Sequence, residues 1–312
     1  MRDFFKFMFA SMLGTFLIGI VLIVVFAIAM AAAIAGAVST SMSFGSGRST
    51  SVKENSVLHV RLDQEIRDRG AKDDFNLDFG PFKGMNPMGL NNILENLDKA
   101  ERDDRIKGVF LDLTMLQTGM ASAAEIRKKI LEFRKDSGKP VIAYAEWYTL
   151  GTYYLASAAD KVYVAPEGDL DFRGMQAHLM FFKGMFEKLD IDVEFIKGSN
   201  NIYKSFGESY TEDRMTAANH EQIRALIGSM WDQYLTVVGE TRKIDKARLN
   251  TIADSLMIRY PSDAVTYGLL DGVKYKDEVL AELRSTMGLE ADKDIQWAEF
   301  HKYGKAYVAA EA

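Results

Sequence analysis

The residue best suited to chemistry in this sequence is a lysine set among apolar and aromatic neighbours. Residues 202–210 read IYKSFGESY, with Lys204 at the third position. A lysine acts as a general base only when its amine is neutral, which requires its pKa to fall from about 10.4 to near 7. Burial among apolar side chains lowers an amine pKa because it disfavours the charged form. Ile202, Tyr203 and Phe206 are the neighbours that could exclude water from Lys204; the alternative is an ordinary solvated lysine.

Other chemistries are disfavoured by residue types and spacing. The chain has no cysteine, which excludes disulfides, thiolate metal sites and cysteine nucleophiles. Residues 198–205 read GSNNIYKS, but Tyr203 stands where a phosphate-binding loop needs glycine before its lysine. The histidines lack metal-ligand spacing and are interpreted as structural or solvated: His59, His178, His220 and His301.

The charge balance argues against a nucleic-acid partner. The formal net charge is −6 and the isoelectric point is near 5.4. Phosphate binding needs a basic face, and no such face is found in the sequence. About 260 residues follow the first 55, enough for one large domain or two small ones.

The N-terminus carries an apolar run long enough to span a bilayer. No charged residue occurs between Lys6 and Arg48, and residues 7–38 are almost wholly apolar. We predict an uncleaved transmembrane signal anchor at residues 7–38, because a cleaved secretory peptide has an apolar region of roughly 7–15 residues; cleavage is the alternative. Arg2 and Lys6 place the tail of residues 1–6 in the cytoplasm under the positive-inside rule, so the rest of the chain crosses to the other side.

Two segments after the anchor have the composition of loops. Residues 39–55 are rich in serine, threonine and glycine, which predicts a flexible linker before the globular part at residues 56–312. Residues 70–91 form a long predicted loop, of a length that is often functional. Its large apolar residues either face apolar substrates or the membrane, or pack on the domain: Phe75, Phe79, Phe82, Met85 and Met88.

The globular part alternates strands and helices in the pattern of βα units, which predicts an α/β fold. Short apolar runs predict extended segments at residues 57–62, 109–113, 141–145, 161–165 and 193–196. Apolar periodicity predicts helices at residues 90–97, 150–159, 181–189, 213–240, 247–256 and 277–287. A further helix is predicted to begin at a Ser122 cap with Glu125 in the capping-box position, and to end at residues 137–140. Gly168 and Gly174 predict a turn.

The helix predicted at residues 213–240 carries an apolar stripe. A stripe at helical spacing predicts a face buried in the core rather than a ligand site. Its members are Ile223, Leu226, Ile227, Met230, Trp231, Tyr234, Leu235 and Val238.

Several segments in register carry a family resemblance: GTYYLASAADKVY at residues 151–163 with Pro166, then Gly174 and Met175, then YKS at residues 203–205 with Glu208, and, more weakly, Gly268, Leu269 and Asp271. Together they resemble the signal peptide peptidase A family, also called protease IV. The resemblance implies a membrane-anchored serine protease with a crotonase/ClpP-like fold of repeated ββα units, preceded by one N-terminal transmembrane helix.

The resemblance also implies which residues act. In the long form of the family two similar halves are fused; the first supplies a lysine general base and the second a serine nucleophile. Lys204 stands at that lysine position, and the nucleophile serine is expected beyond Ala312. Such a Ser/Lys dyad needs no histidine, because a neutral lysine can take the serine proton. Ser205 either orients the lysine amine or is an ordinary loop serine.

This sequence departs from the catalytic half of the family at two positions, as expected of the half that lacks the nucleophile. Leu150 stands where the catalytic half has its serine, and a leucine cannot attack a carbonyl. The glycine pair that would offer N–H groups to an oxyanion is reduced to Gly119. Residues 297–300, WAEF, are interpreted as the lead-in to a missing C-terminal half. We therefore expect residues 56–312 to be the N-terminal, lysine-bearing half of a longer protein, or else a truncated product, inactive on its own.

The resemblance also implies a substrate, an assembly and a cellular location for the protein. It implies hydrolysis of hydrophobic remnant signal peptides by a homo-oligomeric, bowl-like assembly that needs no metal or organic cofactor. It places the chain as a single-pass protein of the bacterial inner membrane, with its bulk on the periplasmic side.

One alternative function is a non-catalytic, membrane-tethered interaction module, which Leu150 favours and the retained Lys204 disfavours. The other is a coenzyme A-binding lyase of the same fold, disfavoured by the missing oxyanion glycines and by the anchor.

Overall fold

The computed structural model describes residues 2–45, 52–70, 87–196, 198, 201–290 and 294–308. The N-terminal helix forms one compact unit, and residues 52–304 form the body of a second. The linker predicted at residues 39–55 lies partly outside the described residues, as does most of the loop predicted at residues 70–91.

The first unit is built around a long apolar helix, α1, Arg2–Gly45. Its stretch Lys6–Met30 has a mean hydropathy of 2.9 and no residue buried in the structure, so it is long and apolar enough to cross a membrane. The predicted N-terminal apolar helix is therefore confirmed. The helix continues past Val38 to Gly45, into the segment predicted as linker, because the serine, threonine, methionine and phenylalanine residues there do not break a helix.

The second unit contains a six-stranded parallel sheet in the order β7-β6-β5-β4-β1-β8. Its strands are β1 (Ser56–Val60), β4 (Ile106–Asp112), β5 (Val141–Tyr148), β6 (Lys161–Leu170), β7 (Gly272–Val273) and β8 (Gln296–Glu299). Two short strands, β2 (Ile66–Arg67) and β3 (Met88–Gly89), form a separate parallel pair. The predicted α/β fold is confirmed, and its main sheet is parallel.

Helices connect and cover these strands. They are α2 (Leu90–Arg102), α3 (Met120–Ser137), α4 (Leu150–Ala156), α5 (Lys183–Lys188), α6 (Glu208–Thr211), α7 (Ala217–Arg242), α8 (Lys246–Asp254), α9 (Pro261–Thr266), α10 (Lys276–Thr286) and α11 (Phe300–Tyr303). On one side of the sheet, Val279 and Leu283 of α10 pack against Phe110 of β4 and Ile142 of β5. Burial of these apolar strands explains their continuous apolar sequence.

Several local predictions are confirmed and others are wrong. The helix expected to begin at a Ser122 cap begins at Met120, after Gly119, whose missing side chain makes no cap. It ends as predicted, with Gly138 in the left-handed conformation at φ 65°. Gly168 is not in a turn but inside β6, where a Cβ would lie 2.0 Å from the carbonyl oxygen of Glu146. Residues 193–196 form no strand.

The apolar stripe of α7 is only half buried, which corrects the prediction that all of it faces the core. The helix begins at Ala217, capped by Thr216, rather than at residue 213. Tyr234, Leu235 and Val238 are buried, and the Tyr234 hydroxyl donates to the carbonyl of Leu150. Leu226 is 59% exposed, because the first half of α7 extends beyond the elements that cover the second half.

The segment predicted as a lead-in to another half belongs to this sheet. Gln296–Glu299 is the edge strand β8, parallel to β1. The next residues dock on α2, where the Tyr303 hydroxyl donates to Asp103 at 2.9 Å and Asn96 donates to the carbonyl of Phe300 at 3.3 Å. Periodicity missed this strand because it is four residues long.

Candidate active site

Lys204 lies in a long excursion from the sheet, residues 171–216, which connects β6 to α7. The side chain of Lys204 is exposed. Its backbone N–H donates to the carbonyl of Asn201 at 3.1 Å. The residue is therefore held by a turn and presented to solvent.

The apolar neighbours of Lys204 are exposed too. Ile202 is 63% exposed, Tyr203 is 49% exposed and Phe206 is 81% exposed. The desolvated environment that the sequence suggested for Lys204 is thus not formed by the part of the chain that the structure describes. The physical reason is the position of the turn, which lies outside the layers of helix and sheet that make the core.

Hydrogen bonds nevertheless fix the segment around Lys204. The N–H of Glu208 donates to the carbonyl of Ser205 at 3.0 Å. No hydrogen bond joins the Ser205 hydroxyl to Lys204, both of which the structure describes, so Ser205 does not orient the amine here. The carboxylate of Glu208 is buried and accepts hydrogen bonds from the Thr216 hydroxyl at 2.6 Å and from the Asn219 amide at 2.9 Å.

The two positions that depart from the catalytic pattern are both at helix starts. Leu150 is the first residue of α4, directly after a Thr149 cap whose hydroxyl accepts the N–H of Thr152. Gly119 immediately precedes α3. These helices follow β5 and β4, so both starts lie towards the carboxyl edge of the parallel sheet, where α/β enzymes build their sites. At this edge, residue 150 offers an alkyl side chain and no nucleophile.

A polar cluster at the same edge was missed by sequence reasoning. Asp112, at the end of β4, accepts from His59 Nε2 at 3.0 Å and from Lys276 Nζ at 2.8 Å. Burial by itself would raise the pKa of Asp112, but the hydrogen bonds from His59 and Lys276 outweigh it and hold that pKa below its usual value. Glu299 lies 3.6 Å from His59 Nδ1. Lys276 is 164 residues from Asp112, so no local pattern signals the pair.

A groove of about 490 Å³ lies beside the first half of α7. Its apolar walls come from Met175, Ile223, Ile227 and Trp231, and Trp231 Nε1 donates to Asn250 at 2.9 Å. Charged and polar residues stand at the groove as well: Arg173, His220, Arg224 and Asp254. Within the described ranges, no group of three histidine, aspartate or glutamate side chains is placed to hold a metal ion.

Comparison with known proteins agrees with the resemblance noted from the sequence. Residues 133–290 match the model of peptidase family S49. The chain is 28% identical over 278 residues to Protease 4 of Haemophilus influenzae, which covers 84% of this chain and 44% of that protein. It is 30% identical over 254 residues to the chloroplastic serine protease SPPA of Arabidopsis thaliana, covering 81% of this chain and 35% of that protein.

The coverage is asymmetric: the chain spans less than half the length of these two relatives. Among solved structures, a mutant of the 1510-N membrane-bound stomatin-specific protease in complex with a substrate peptide aligns at 12% identity with a TM-score of 0.38. That alignment covers 79% of this chain and 89% of the other.

Proposed function

Because the chain belongs to peptidase family S49, we propose that it is the lysine-bearing half of a membrane-anchored serine protease of the Ser/Lys dyad type. Lys204 is the general base in this proposal, and the nucleophilic serine comes from outside the chain. The position of Leu150 supports this division, since it puts an alkyl group at the start of α4.

The presentation of Lys204 is the observation that carries the proposal. The lysine sits on a turn closed by the bonds from Lys204 to Asn201 and from Glu208 to Ser205. Around it, Ile202 and Phe206 leave apolar surface open to solvent. A second protein surface that covered this turn would remove water from the amine and lower its pKa, which is what a lysine base requires.

The chemistry then needs no cofactor. The serine hydroxyl transfers its proton to Lys204 Nζ as its oxygen attacks the peptide carbonyl. The resulting ammonium donates that proton to the leaving amine nitrogen as the C–N bond breaks. A water molecule, deprotonated by the same lysine, hydrolyses the acyl-enzyme and restores the serine hydroxyl.

Hydrophobic remnant signal peptides are the proposed substrates. The apolar helix α1 would hold the protease at the bacterial inner membrane, with its bulk on the periplasmic side. The groove beside α7 offers apolar walls at Ile223, Ile227 and Trp231 for segments of this composition. The exposed apolar surface of the excursion also supports a homo-oligomeric assembly.

A second candidate function is a non-catalytic, membrane-tethered interaction module. Leu150 favours it, because a fold that has lost its nucleophile keeps its binding surfaces. The two proposals predict different results with a probe that acylates or phosphonylates activated serines. The protease proposal requires a reactive serine in the native protein, and the interaction module does not.

The test uses the native protein isolated from its own membranes with a fluorophosphonate probe and a hydrophobic peptide substrate. Lys204→Ala should reduce probe labelling and hydrolysis by about 100-fold or more. Lys188→Ala, which removes an exposed lysine of the same excursion, is the matched control and should leave both unchanged. Full turnover by Lys204→Ala would remove Lys204 from the mechanism, and the absence of any labelled serine in the wild type would favour the interaction module.

A further inference from the structure

One carboxylate in the excursion is buried although the segment around it is largely open to solvent. Glu208 is only 5% exposed, four positions after Lys204. A carboxylate withdrawn from water needs hydrogen-bond donors to offset its lost hydration. Those donors come from the start of α7. Oε1 accepts the Thr216 hydroxyl at 2.6 Å, and Oε2 accepts the Asn219 side-chain amide at 2.9 Å and the Thr216 N–H at 3.3 Å.

These bonds join the excursion to a rigid element. Thr216 is the N-cap of the 26-residue helix α7, and its hydroxyl also accepts the backbone N–H of Asn219 at 3.3 Å. A negative charge is stabilised at a helix N-terminus by the helix dipole. The second half of α7 is anchored in the domain by Tyr234 and Val238. Glu208 is therefore fixed to the body of the protein through α7.

The backbone of the same residue closes the turn that directly follows Lys204. The N–H of Glu208 donates to the carbonyl of Ser205 at 3.0 Å, directly after Lys204 in the chain. On the other side, the N–H of Lys204 donates to the carbonyl of Asn201 at 3.1 Å. The lysine thus stands between two consecutive turns, of which the second ends at Glu208.

We propose that Glu208 is a positioning residue for Lys204: its carboxylate clamps the lysine-bearing turn to the N-terminus of α7 and so fixes where the amine is presented. The inference rests on the proposed role of Lys204 as general base. Proton transfer requires the base within hydrogen-bond reach of the hydroxyl, so a loosened turn costs rate at the chemical step rather than affinity for substrate. The carboxylate acts through geometry, because its oxygens are directed to donors on α7.

The first test measures the turn itself and does not depend on activity. Trypsin cuts after lysine, and cutting after Lys204 requires the turn to open. In the full chain in detergent, Glu208→Ala should accelerate cutting after Lys204 by about tenfold or more, since it removes hydrogen bonds to a charged group. Cutting after Lys188 is the internal reference and should not change. An unchanged cutting rate after Lys204 would overturn the proposal.

The second test separates geometry from charge in the native protease. Glu208→Gln keeps the shape and most of the hydrogen bonds, because the amide oxygen can accept from Asn219 and the Thr216 hydroxyl can reverse to accept from the amide. We expect Glu208→Ala to lower kcat by about tenfold or more with KM unchanged, and Glu208→Gln to stay within about threefold of the wild type. A Glu208→Gln variant as slow as Glu208→Ala, with the acid limb of its pH profile displaced, would overturn positioning in favour of a charge effect.

Two further variants complete the design. Thr216→Val removes a partner from the other side of the clamp and should reproduce the trypsin result more weakly, even if Glu208→Ala fails to fold. Glu212→Ala removes an exposed glutamate of the same excursion and should change neither readout. If Lys204→Ala retains full turnover, the proposed function fails; the trypsin rates still decide whether Glu208 holds the turn.

Discussion

Gly207 lies directly against the aromatic ring of Phe195, so close that a Cβ on residue 207 would be 2.3 Å from Phe195 Cγ. The backbone of Gly207, at φ −83° and ψ −10°, is one that any residue can adopt. Glycine is therefore required at this position by packing, not by backbone conformation. The contact places Phe195 against the turn that directly follows Lys204.

Gly207→Ala should consequently loosen the lysine-bearing turn. The added methyl group must displace the Phe195 ring, at a cost of about 1–3 kcal/mol. We expect faster trypsin cutting after Lys204 and slower peptide hydrolysis by the native protein. Phe195→Leu in the Gly207→Ala background makes room for the methyl group and should recover part of both effects. A Gly207→Ala protein with wild-type cutting and hydrolysis would show that this contact does not support the turn.

Arg127 provides a second prediction, on stability. This buried side chain of α3 donates to the carbonyl of Tyr154 at 3.1 Å, to the carbonyl of Val237 at 2.9 Å and to the hydroxyl of Thr241 at 2.9 Å. It thereby connects α3, α4 and α7. Arg127→Met keeps much of the volume but leaves these acceptors without their donor, so the free energy of unfolding should fall by about 2–4 kcal/mol.

Urea denaturation measures this change, with Lys128→Met as the control. Lys128 neighbours Arg127 on the same helix, but its side chain is 78% exposed. Its replacement should alter the unfolding free energy by no more than about 0.5 kcal/mol. Equal effects of the two substitutions would mean that the Arg127 contacts do not hold the helices together.

Asp112 gives a prediction with a defined pH dependence. The hydrogen bonds from His59 and Lys276 hold its pKa below the usual value despite burial. Its contribution to stability is therefore fully present above the unfolded-state pKa of about 3.9 and is lost as pH falls through the lower folded-state pKa. Asp112→Asn should destabilise the protein by about 2–4 kcal/mol at pH 7, and the difference should shrink below about pH 4.

Urea midpoints at pH 7 and pH 3 give the comparison. Asp63→Asn is the control, because the Asp63 side chain is 40% exposed and pairs with an exposed Arg61 at 3.4 Å. Its effect should be small at both values. A difference between wild type and Asp112→Asn that stayed constant with pH would contradict the depressed pKa.

The fold was largely predictable because its main elements are encoded locally. The buried strands β4 and β5 are short apolar runs, and Gly138 marks the end of α3. The stripe of α7 shows the limit of such patterns. Tyr234 and Leu226 have the same periodic signal, yet one is buried and the other exposed, because burial depends on which neighbours cover each turn of the helix.

The candidate site was predictable in part. Lys204 stands out through its neighbours and the family resemblance, and its role remains a prediction. Its exposure could not be foreseen, because apolar residues near in sequence cover a side chain only if the fold brings them over it. The contact of Asp112 with Lys276 joins groups 164 residues apart, which only the sheet and the packing of α10 bring together. Glu208 stands out through the family resemblance, and its burial could have been anticipated because the N-terminus of the helix that Thr216 caps attracts a carboxylate.

The exposed apolar surface around Lys204 gives a final prediction. Phe206 is 81% exposed and Ile196 is 89% exposed, so neither contributes much to the stability of the chain itself. Phe206→Ser should leave the urea midpoint unchanged but weaken association and slow peptide hydrolysis in the native protein, because the proposed function needs this surface covered. Sedimentation in detergent and hydrolysis rates measure the two effects. Leu226→Ser, at a 59% exposed position on α7, is the matched control. If both substitutions leave assembly and hydrolysis intact, the surface around Lys204 is not the one that a partner covers.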